Sequence, residues 1–418
     1  MIKVVLEDKA MLKKLGIVFI ICCLICPALA QEEPPTMLER YLATGDTPSL
    51  YGAYEDLFSI GAAITPALIE NEKAAEIIKR NFNSVTCENE MKADFVLDYQ
   101  ATLKNADETR AALNMARADK VLKFAKENGI SVRAHALVWH SQVPRWFFTE
   151  GYQTGAEAPY VSRETMLKRM ENYIRDVMDY VNTNYPGVVY AWDVVNEGID
   201  PADKHEKGYR TSKNPWYDIF GDDFITLAFT YARQYAAPEQ KLFYNDYNCY
   251  EGNKLQFIRP MLKELLESGL VDGIGMQSHI GMTYPTLLNY EAAMAAYGAL
   301  GIEIQVTELD IKSEDNTIKG QMALAVLYNR YFTLFHRLKE DGKANITNVT
   351  IWGVTDDKSW LSNKEHTYYP LLFNADFSPK LAYFGAVRDA SIPLSGSEES
   401  LTRAIEGLNA LWADCEEE

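Results

Sequence analysis

Two glutamates, Glu197 and Glu308, each stand directly after an apolar run, in the segments WDVVNE and TELD. A pair of carboxyl groups that flank a glycosidic bond can hydrolyse it, because one protonates the leaving oxygen while the other captures or stabilises the cationic sugar carbon. One carboxyl must stay protonated and the other ionised, so their surroundings must differ. A single glutamate in such a place is equally typical of a surface salt bridge, so the neighbouring segments decide between the two interpretations.

The other apolar runs also end in polar and aromatic residues. Surface turns favour Gly, Asn, Asp and Ser, whereas these runs end in Glu, His, Gln, Lys and Trp. Three of the six histidines, His135, His140 and His279, lie at such ends. Flat aromatic faces suit sugar rings, and the polar groups suit sugar hydroxyls. The segments are ENEMK (88–92), HALVWHSQ (135–142), NDYN (245–248), QSH (277–279) and WGVTD (352–356), with Trp360 soon after.

Strand-like and helical patterns alternate along the chain. Parallel strands joined by crossover helices follow from this order. Eight such units predict an α/β fold, a single (β/α)8 TIM barrel with eight parallel strands and outer helices, whose chemistry lies at the carboxyl ends of the strands. The predicted strands cover residues 57–64, 84–86, 131–139, 188–195, 241–245, 273–277, 303–307 and 348–354. The predicted helices cover residues 67–80, 107–128, 163–184, 222–235, 254–268, 289–300, 319–339 and 379–389.

Residues 1–30 have the pattern of a secretory signal peptide. Lys13 and Lys14 precede an apolar run over residues 15–26, and the segment PALA follows. The run is short for a membrane span. Cleavage near Ala30 predicts a secreted protein that is periplasmic, on the cell surface or extracellular, and the alternative is an uncleaved N-terminal anchor.

Three segments make up the rest of the chain. Residues 31–48 are expected to form a flexible lead-in, and residues 49–392 the catalytic domain. Residues 393–418 are an acidic C-terminal tail. Within it, Leu401, Ile405, Leu408 and Trp412 recur at the spacing of one amphipathic helix.

The charge balance narrows the class of partner. There are 59 acidic residues against 41 basic ones, which gives a formal net charge of −18. Nucleic acid is excluded as a partner because phosphate neutralisation needs a basic face. A neutral or weakly charged substrate fits better. No Cys/His cluster has the spacing of metal ligands, so no metal site is predicted.

The segments above, in this order and spacing, resemble glycoside hydrolase family 10, the endo-1,4-β-xylanases on a (β/α)8 barrel. The resemblance runs from about Leu57 to Val387. It implies that the chain hydrolyses internal β-1,4 bonds of xylan or xylo-oligosaccharides with retention of anomeric configuration. It further implies no cofactor, no metal and no membrane contact beyond the signal peptide, and a monomer is expected.

The resemblance also implies residue roles. Glu197 is the general acid/base, and Asn196 beside it contacts the 2-hydroxyl of the sugar at the cleavage point. Glu308 is the nucleophile, His279 hydrogen-bonds to it, and Asp310 orients His279. The implied substrate-binding residues are Glu88, Asn89, Lys92, His135, Trp139 and Gln142 on the non-reducing side, Tyr247 on the leaving-group side, Trp352 and Trp360 as the sugar-facing wall, and Gln277.

Two alternatives remain at this point. A β-1,4-glucanase on the same barrel would accept the hydroxymethyl group that glucose has and xylose lacks. The crowding near Trp352 and Trp360 therefore decides between a glucanase and a xylanase. A secreted glycan-binding protein that does not cut its ligand would not need both Glu197 and Glu308.

Overall fold

The computed structural model describes residues 34–105 and 107–417, except for the side chains of residues 411–417. The predicted signal peptide therefore lies outside the described residues. Within the described part, no helix is long and apolar enough to cross a membrane.

Ten strands form one closed parallel barrel that has eight strand positions around its wall. Their order is β10-β1-β2-β3-β5-β6-β7-β9, and pairing between β9 and β10 closes the circle. Two of these positions are each filled by two short strands, because β3 and β4 both pair with β5 and because β7 and β8 both pair with β9. The predicted (β/α)8 barrel is confirmed. The strands are β1 Ser59–Ile64, β2 Ser84–Cys87, β3 Ser131–Ala134, β4 Val138–Trp139, β5 Val189–Asn196, β6 Lys241–Asp246, β7 Gly273–Met276, β8 His279–Gly281, β9 Glu303–Lys312 and β10 Asn345–Ile351.

Helices surround the barrel, and the longer ones bury one face each. Sequence signals explain several starts, since Thr65 caps the backbone of Leu68 ahead of a proline at the first helical position, and Ser162 and Thr317 cap two long helices. The helices are α1 Met37–Thr44, α2 Pro66–Ile69, α3 Glu72–Asn81, α4 Ala93–Val96, α5 Tyr99–Thr102, α6 Ala116–Glu127, α7 Arg163–Asn184, α8 Pro215–Phe220, α9 Phe224–Tyr235, α10 Gly252–Glu267, α11 Leu287–Gly298, α12 Ile318–Glu340, α13 Leu381–Ala386 and α14 Glu398–Glu417.

The barrel interior holds a buried ion pair. Arg133 on β3 binds the carboxylate of Asp193 on β5 through both terminal nitrogens, and its Nε donates to Gln305 Oε1 at 2.7 Å. Gly275 on β7 makes room for this arrangement. A Cβ at that position would lie 2.3 Å from Asn245 Oδ1 and 2.9 Å from Arg133 Nη2.

The helix predicted over residues 107–128 was wrong at its start, because α6 begins only at Ala116. The preceding residues turn instead, and the Asp107 carboxylate accepts from the Thr109 N–H at 2.8 Å. The Glu108 carbonyl accepts from the buried Arg169 guanidinium on α7. The long-range bond to Arg169 therefore replaces an intrahelical one.

Part of the segment predicted as a flexible lead-in, residues 31–48, is ordered, because α1 forms at Met37–Thr44, and residues 31–33 lie outside the described residues. Thr36 and Glu39 make a capping box at its start, each side chain bonded to the other residue's backbone N–H. Leu38 is buried, and its N–H donates to Asp389 Oδ2 at 3.1 Å. The sequence carried this capping signal, but α1 needs distant partners for burial.

The acidic tail contains a helix docked on the barrel wall. In α14, Leu401 and Leu408 are buried and Ile405 packs against the core. Its neighbours are α12 and α1. The two ends of the described chain therefore meet on one side of the barrel.

Because Gly275 lies against the Arg133 side chain of the buried ion pair, a side chain at this position is expected to destabilise the protein. Gly275→Ala should lower the free energy of unfolding by about 1–3 kcal/mol, because a methyl group forces Asn245 and Arg133 apart. Chemical denaturation measures this value. The control is Gly407→Ala in α14, where a Cβ meets nothing within 4 Å and alanine favours the helix. A Gly275→Ala protein as stable as the parent would contradict the packing described.

Candidate active site

A cleft of about 410 Å³ opens at the carboxyl ends of the barrel strands. It brings together fourteen of the fifteen site residues predicted from sequence. The fifteenth, Asp310, lies behind His279, and Asn248 lines the cleft in addition. The lining residues are Glu88, Asn89, Lys92, His135, Trp139, Gln142, Asn196, Glu197, Tyr247, Asn248, Gln277, His279, Glu308, Trp352 and Trp360.

The two glutamates face the cleft from different strands. Glu197 follows β5 directly, with a left-handed backbone (φ +56°), and its N–H donates to the Asn245 carbonyl at 2.8 Å. Glu308 lies within β9, and its N–H donates to the Gln277 carbonyl at 2.8 Å. A non-glycine residue with positive φ costs free energy and is common at functional sites. The ladder bond from Glu197 holds it in that conformation.

Asn245 joins the strands that carry the two glutamates. Its Nδ2 donates to Asn196 Oδ1 at 2.9 Å and to Glu308 Oε1 at 2.8 Å. Its Oδ1 accepts from Thr307 Oγ1 at 2.6 Å. Asn245 was not among the predicted site residues, although its position at the end of β6 in the NDYN segment was the available signal.

The side-chain amide of Gln277 makes a second set of hydrogen bonds in the cleft. Its Nε2 donates to Glu197 Oε1 at 3.1 Å and to Asn196 Oδ1 at 3.2 Å. The two amides therefore orient both carboxyl groups and Asn196 through direct hydrogen bonds. Gln277 is buried, so its contact with a ligand is limited to the face that lines the cleft.

His279 lies between two carboxylates. Its Nε2 is 3.1 Å from Glu308 Oε2, and its Nδ1 is 3.0 Å from Asp310 Oδ2. Burial lowers the pKa of His279, but the charge and hydrogen bond of Asp310, and those of Glu308, outweigh it and raise the pKa to about 10. The ring is therefore a cation at neutral pH, and both nitrogens donate. Trp360 Nε1 donates to the same Asp310 oxygen at 2.8 Å.

Glu308 and Glu197 have opposite pKa shifts. Burial raises the pKa of Glu308, but the His279 hydrogen bond, the electrostatic interactions with His135 and His279, and the Asn245 hydrogen bond lower it to about 2. For Glu197, burial and the negative charge of Asp246 raise the pKa above its ordinary value. The pair is therefore polarised, with Glu308 ionised and Glu197 the group that more readily keeps a proton.

Lys92 organises one wall of the cleft. Its ammonium donates to Asn89 Oδ1 at 3.0 Å and Gln142 Oε1 at 2.8 Å, and it lies 5.1 Å from the centre of the Trp139 ring. Gln142 Nε2 donates to the same Asn89 oxygen at 3.2 Å. Glu88, at the end of β2, lies beside this group and has a raised pKa, chiefly through burial.

His135 is oriented from inside the barrel. Its Nδ1 lies 2.8 Å from Asp193 Oδ2, the carboxylate that also pairs with Arg133. Because that carboxylate only accepts hydrogen bonds, Nδ1 carries a proton. Trp352 meets the edges of both His135 and His279, with ring centres 5.7 Å and 6.3 Å away. Trp352 is buried, whereas Trp360 is 52% exposed.

Arg210 and Lys254 support the other end of the cleft. Arg210 Nε donates to the Glu197 carbonyl at 3.0 Å, and its Nη2 donates to Tyr247 Oη at 2.8 Å. Lys254 Nζ lies 3.5 Å from the centre of the Tyr247 ring and pairs with the buried Asp246. Arg210 was missed in the sequence, because it lies in a loop after β5 without a strand-end pattern.

Among the side chains that the structure describes, in residues 34–105 and 107–410, no group of three His, Cys, Asp or Glu is placed to hold a metal ion. Many of the polar groups that line the cleft are instead bonded to one another. The site therefore offers a carboxyl pair, amides and aromatic faces as its chemical groups.

The family comparison covers the whole barrel. A family model described as glycosyl hydrolase family 10 matches residues 49–389. A match of this extent shows that the chain belongs to glycosyl hydrolase family 10.

Individual relatives agree with that membership. The chain is 43% identical over 346 residues to an endo-1,4-β-xylanase B of Butyrivibrio fibrisolvens, covering 82% of this chain and 53% of that protein. It is 38% identical to an endo-1,4-β-xylanase Y of Acetivibrio thermocellus, covering 79% of this chain and 31% of that protein. The chain therefore spans about a third to a half of the length of these relatives.

Solved structures share the fold. The N-terminal modules of an endo-1,4-β-D-xylanase from Clostridium thermocellum, in complex with xylohexaose, superpose with a TM-score of 0.74 and 35% identity, covering 85% of this chain and 70% of that one. An intracellular xylanase from Thermoanaerobacterium saccharolyticum, in complex with xylotetraose, gives a TM-score of 0.71 and 35% identity, covering 82% and 98%.

The His279 environment predicts a measurable titration shift. Asp310→Asn should lower the pKa of His279 from about 10 towards its ordinary value of 6.5, because the largest favourable charge is removed. NMR of the imidazole nitrogens against pH measures this. Asp357→Asn, which removes a carboxylate paired with Lys358 outside the cleft, is the control and should change nothing. An unaltered His279 titration in Asp310→Asn would contradict the assigned cause.

Proposed function

We propose that the protein is a retaining endo-1,4-β-xylanase with Glu308 as nucleophile and Glu197 as general acid/base. The observation that carries the proposal is the opposite pKa shift of the two glutamates, which line one cleft and are linked through Asn245 and Asn196. The printed names of the relatives, endo-1,4-β-xylanases, support the substrate class.

In the first step, Glu308 attacks the anomeric carbon of the xylosyl residue at the cleavage point. The bond from that carbon to the glycosidic oxygen breaks, and Glu197 gives its proton to the departing oxygen. The products are an ester between Glu308 and the sugar and a free leaving-group chain. The low pKa of Glu308 keeps it ionised for attack, and the raised pKa of Glu197 keeps its proton available.

In the second step, Glu197 is a carboxylate and takes a proton from water. The water oxygen attacks the same carbon, the ester bond to Glu308 breaks, and Glu197 is protonated again. Two displacements at one carbon restore its original configuration. Gln277, which donates to Glu197 Oε1, orients this carboxyl in both steps.

The remaining side chains of the cleft bind the polysaccharide. Asn196 contacts the 2-hydroxyl at the cleavage point. The Asn245 and Gln277 amides hold its oxygen, and its Nδ2, which donates to Glu197 Oε1 at 3.3 Å, has a second hydrogen for the sugar. Glu88, Asn89, Lys92, His135, Trp139 and Gln142 bind the non-reducing side, and Tyr247 stacks on the leaving-group side. Trp352, packed against two histidine rings, and Trp360 form a wall that disfavours the hydroxymethyl group of glucose.

The role of each glutamate predicts a different pattern of loss. Glu308→Ala should abolish turnover of xylan while binding survives, because no group remains to form the ester. Glu197→Ala should lose about 10²–10⁴-fold on xylan, the usual contribution of general acid catalysis, but far less on an aryl xylobioside whose leaving group needs no proton. Release of reducing ends and of the aryl group measures the two activities.

Three outcomes would contradict the proposal. Retained turnover in Glu308→Ala would remove it as nucleophile, and equal loss on both substrates in Glu197→Ala would remove its acid role. Greater activity of the parent protein on carboxymethylcellulose than on xylan would replace the xylanase assignment with a glucanase. Glu239→Ala, a surface glutamate outside the cleft, is the matched control.

We propose further that residues 1–30 direct export and are removed near Ala30. The basic start, apolar run and small-residue end carry this proposal. Expression in a bacterial host with the complete sequence should give an exported protein whose first residue is Gln31. N-terminal sequencing checks this, and an exported protein that still carries the apolar run of residues 15–26 would support the uncleaved anchor instead.

A further inference from the structure

Two exposed aromatic rings stand out at the mouth of the barrel. Of the large apolar side chains exposed in the described part of the chain, only Trp360 and Tyr284 are aromatic, at 52% and 50% exposure. Trp360 belongs to the cleft. Tyr284 lies in the connection between β8 and α11 and lies outside the lining of the cleft.

Tyr284 is held in a defined orientation. Its Oη donates to Glu251 Oε1 at 3.2 Å, and its carbonyl accepts from the Gly281 N–H at 2.8 Å. Its ring meets Tyr250 at a centre-to-centre distance of 5.7 Å and an angle of 75°. The ring is therefore supported from one side while half of its surface stays in solvent.

The Tyr284 ring adjoins the leaving-group end of the cleft. Tyr250 Oη donates to Asn248 Oδ1 at 2.9 Å, and Asn248 lines the cleft next to Tyr247. On the outer side, Tyr250, Glu251 and Tyr284 line a hollow of about 610 Å³ together with the first turns of α10 and α11. The bonded pair Asn248 and Tyr250 thus connects the lining of the cleft to that of the hollow.

The chemistry of the hollow favours a neutral sugar. An aromatic ring offers a flat apolar face, and Glu251 beside it accepts hydrogen bonds from hydroxyl groups. Within the described residues, Glu251 is the only charged side chain that lines the hollow. A carboxylate-bearing sugar would therefore be repelled, whereas an undecorated xylosyl residue would not.

We propose that Tyr284 and Glu251 form a remote binding site for an unsubstituted xylosyl residue of the leaving-group chain, beyond the ring that stacks on Tyr247. The inference rests on the proposed xylanase function and extends its substrate binding. A chain that reaches Tyr284 gains affinity there, and a shorter chain does not. The site therefore favours cleavage positions that leave several xylosyl residues on the reducing side.

The test compares substrates of different length. Tyr284→Ala should lower kcat/KM for xylohexaose about three- to ten-fold, the usual worth of one aromatic contact, and should move cleavage of reducing-end-labelled xylohexaose towards shorter leaving groups. An aryl xylobioside, whose leaving group ends at Tyr247, should be cleaved at the parent rate, which also shows that the variant is folded. Tyr284→Phe, which keeps the ring, should retain most of the activity on xylohexaose.

The control is Leu288→Ala, which removes a side chain that is 75% exposed in the same region but outside the hollow. It should leave kcat/KM for xylohexaose and the rate of cleavage of the aryl xylobioside unchanged. Parent-like xylohexaose kinetics and cleavage pattern in Tyr284→Ala would overturn the inference, as would an equal loss on the aryl xylobioside. Inactivity of the parent protein on both xylan and xylohexaose would instead refute the proposed function itself.

Discussion

The active site depends on one amide group, the side chain of Asn245. It contacts Asn196 next to Glu197, Glu308 itself and Thr307 beside Glu308, and so ties together β5, β6 and β9 at the point where both carboxyls emerge. An amide can do this because it donates twice and accepts as well. A carboxylate or an apolar side chain in the same place would leave one of these buried groups without a partner, which is costly.

Charged groups on both sides of Asn245 place the two glutamates in different electrostatic surroundings. On one side, the cation of His279 lies against Glu308 and Asp310. On the other, Asp246, whose charge raises the pKa of Glu197, is itself compensated by Lys254. Below them, the Arg133–Asp193 pair orients His135. Each of these buried charges therefore has an opposite partner, as the low polarizability of an interior requires.

Much of the fold and most of the site could be predicted because they follow from local pattern. The alternation of strand and helix gave the barrel, and the carboxyl end of every strand is a known place for chemistry. The failures have two causes. The start of α6 and the helix α1 are decided by partners far along the chain, Arg169 for the first and Asp389 for the second. Arg210 and Tyr284 lie in connecting loops, where no periodicity marks a residue as part of the site.

The sequence by itself determined which groups are available and in which layer of the barrel they lie. Glu197 directly after β5 and Glu308 within β9 keep these places whatever their neighbours are, because the order of strands is a property of the chain. Only the tertiary structure decided their protonation. A pKa responds to charges and donors within a few ångströms, and those near Glu308 come from Asn245 and His279, 63 and 29 residues away along the chain. Two glutamates that are chemically identical in the sequence thus acquire opposite pKa shifts only when the barrel closes.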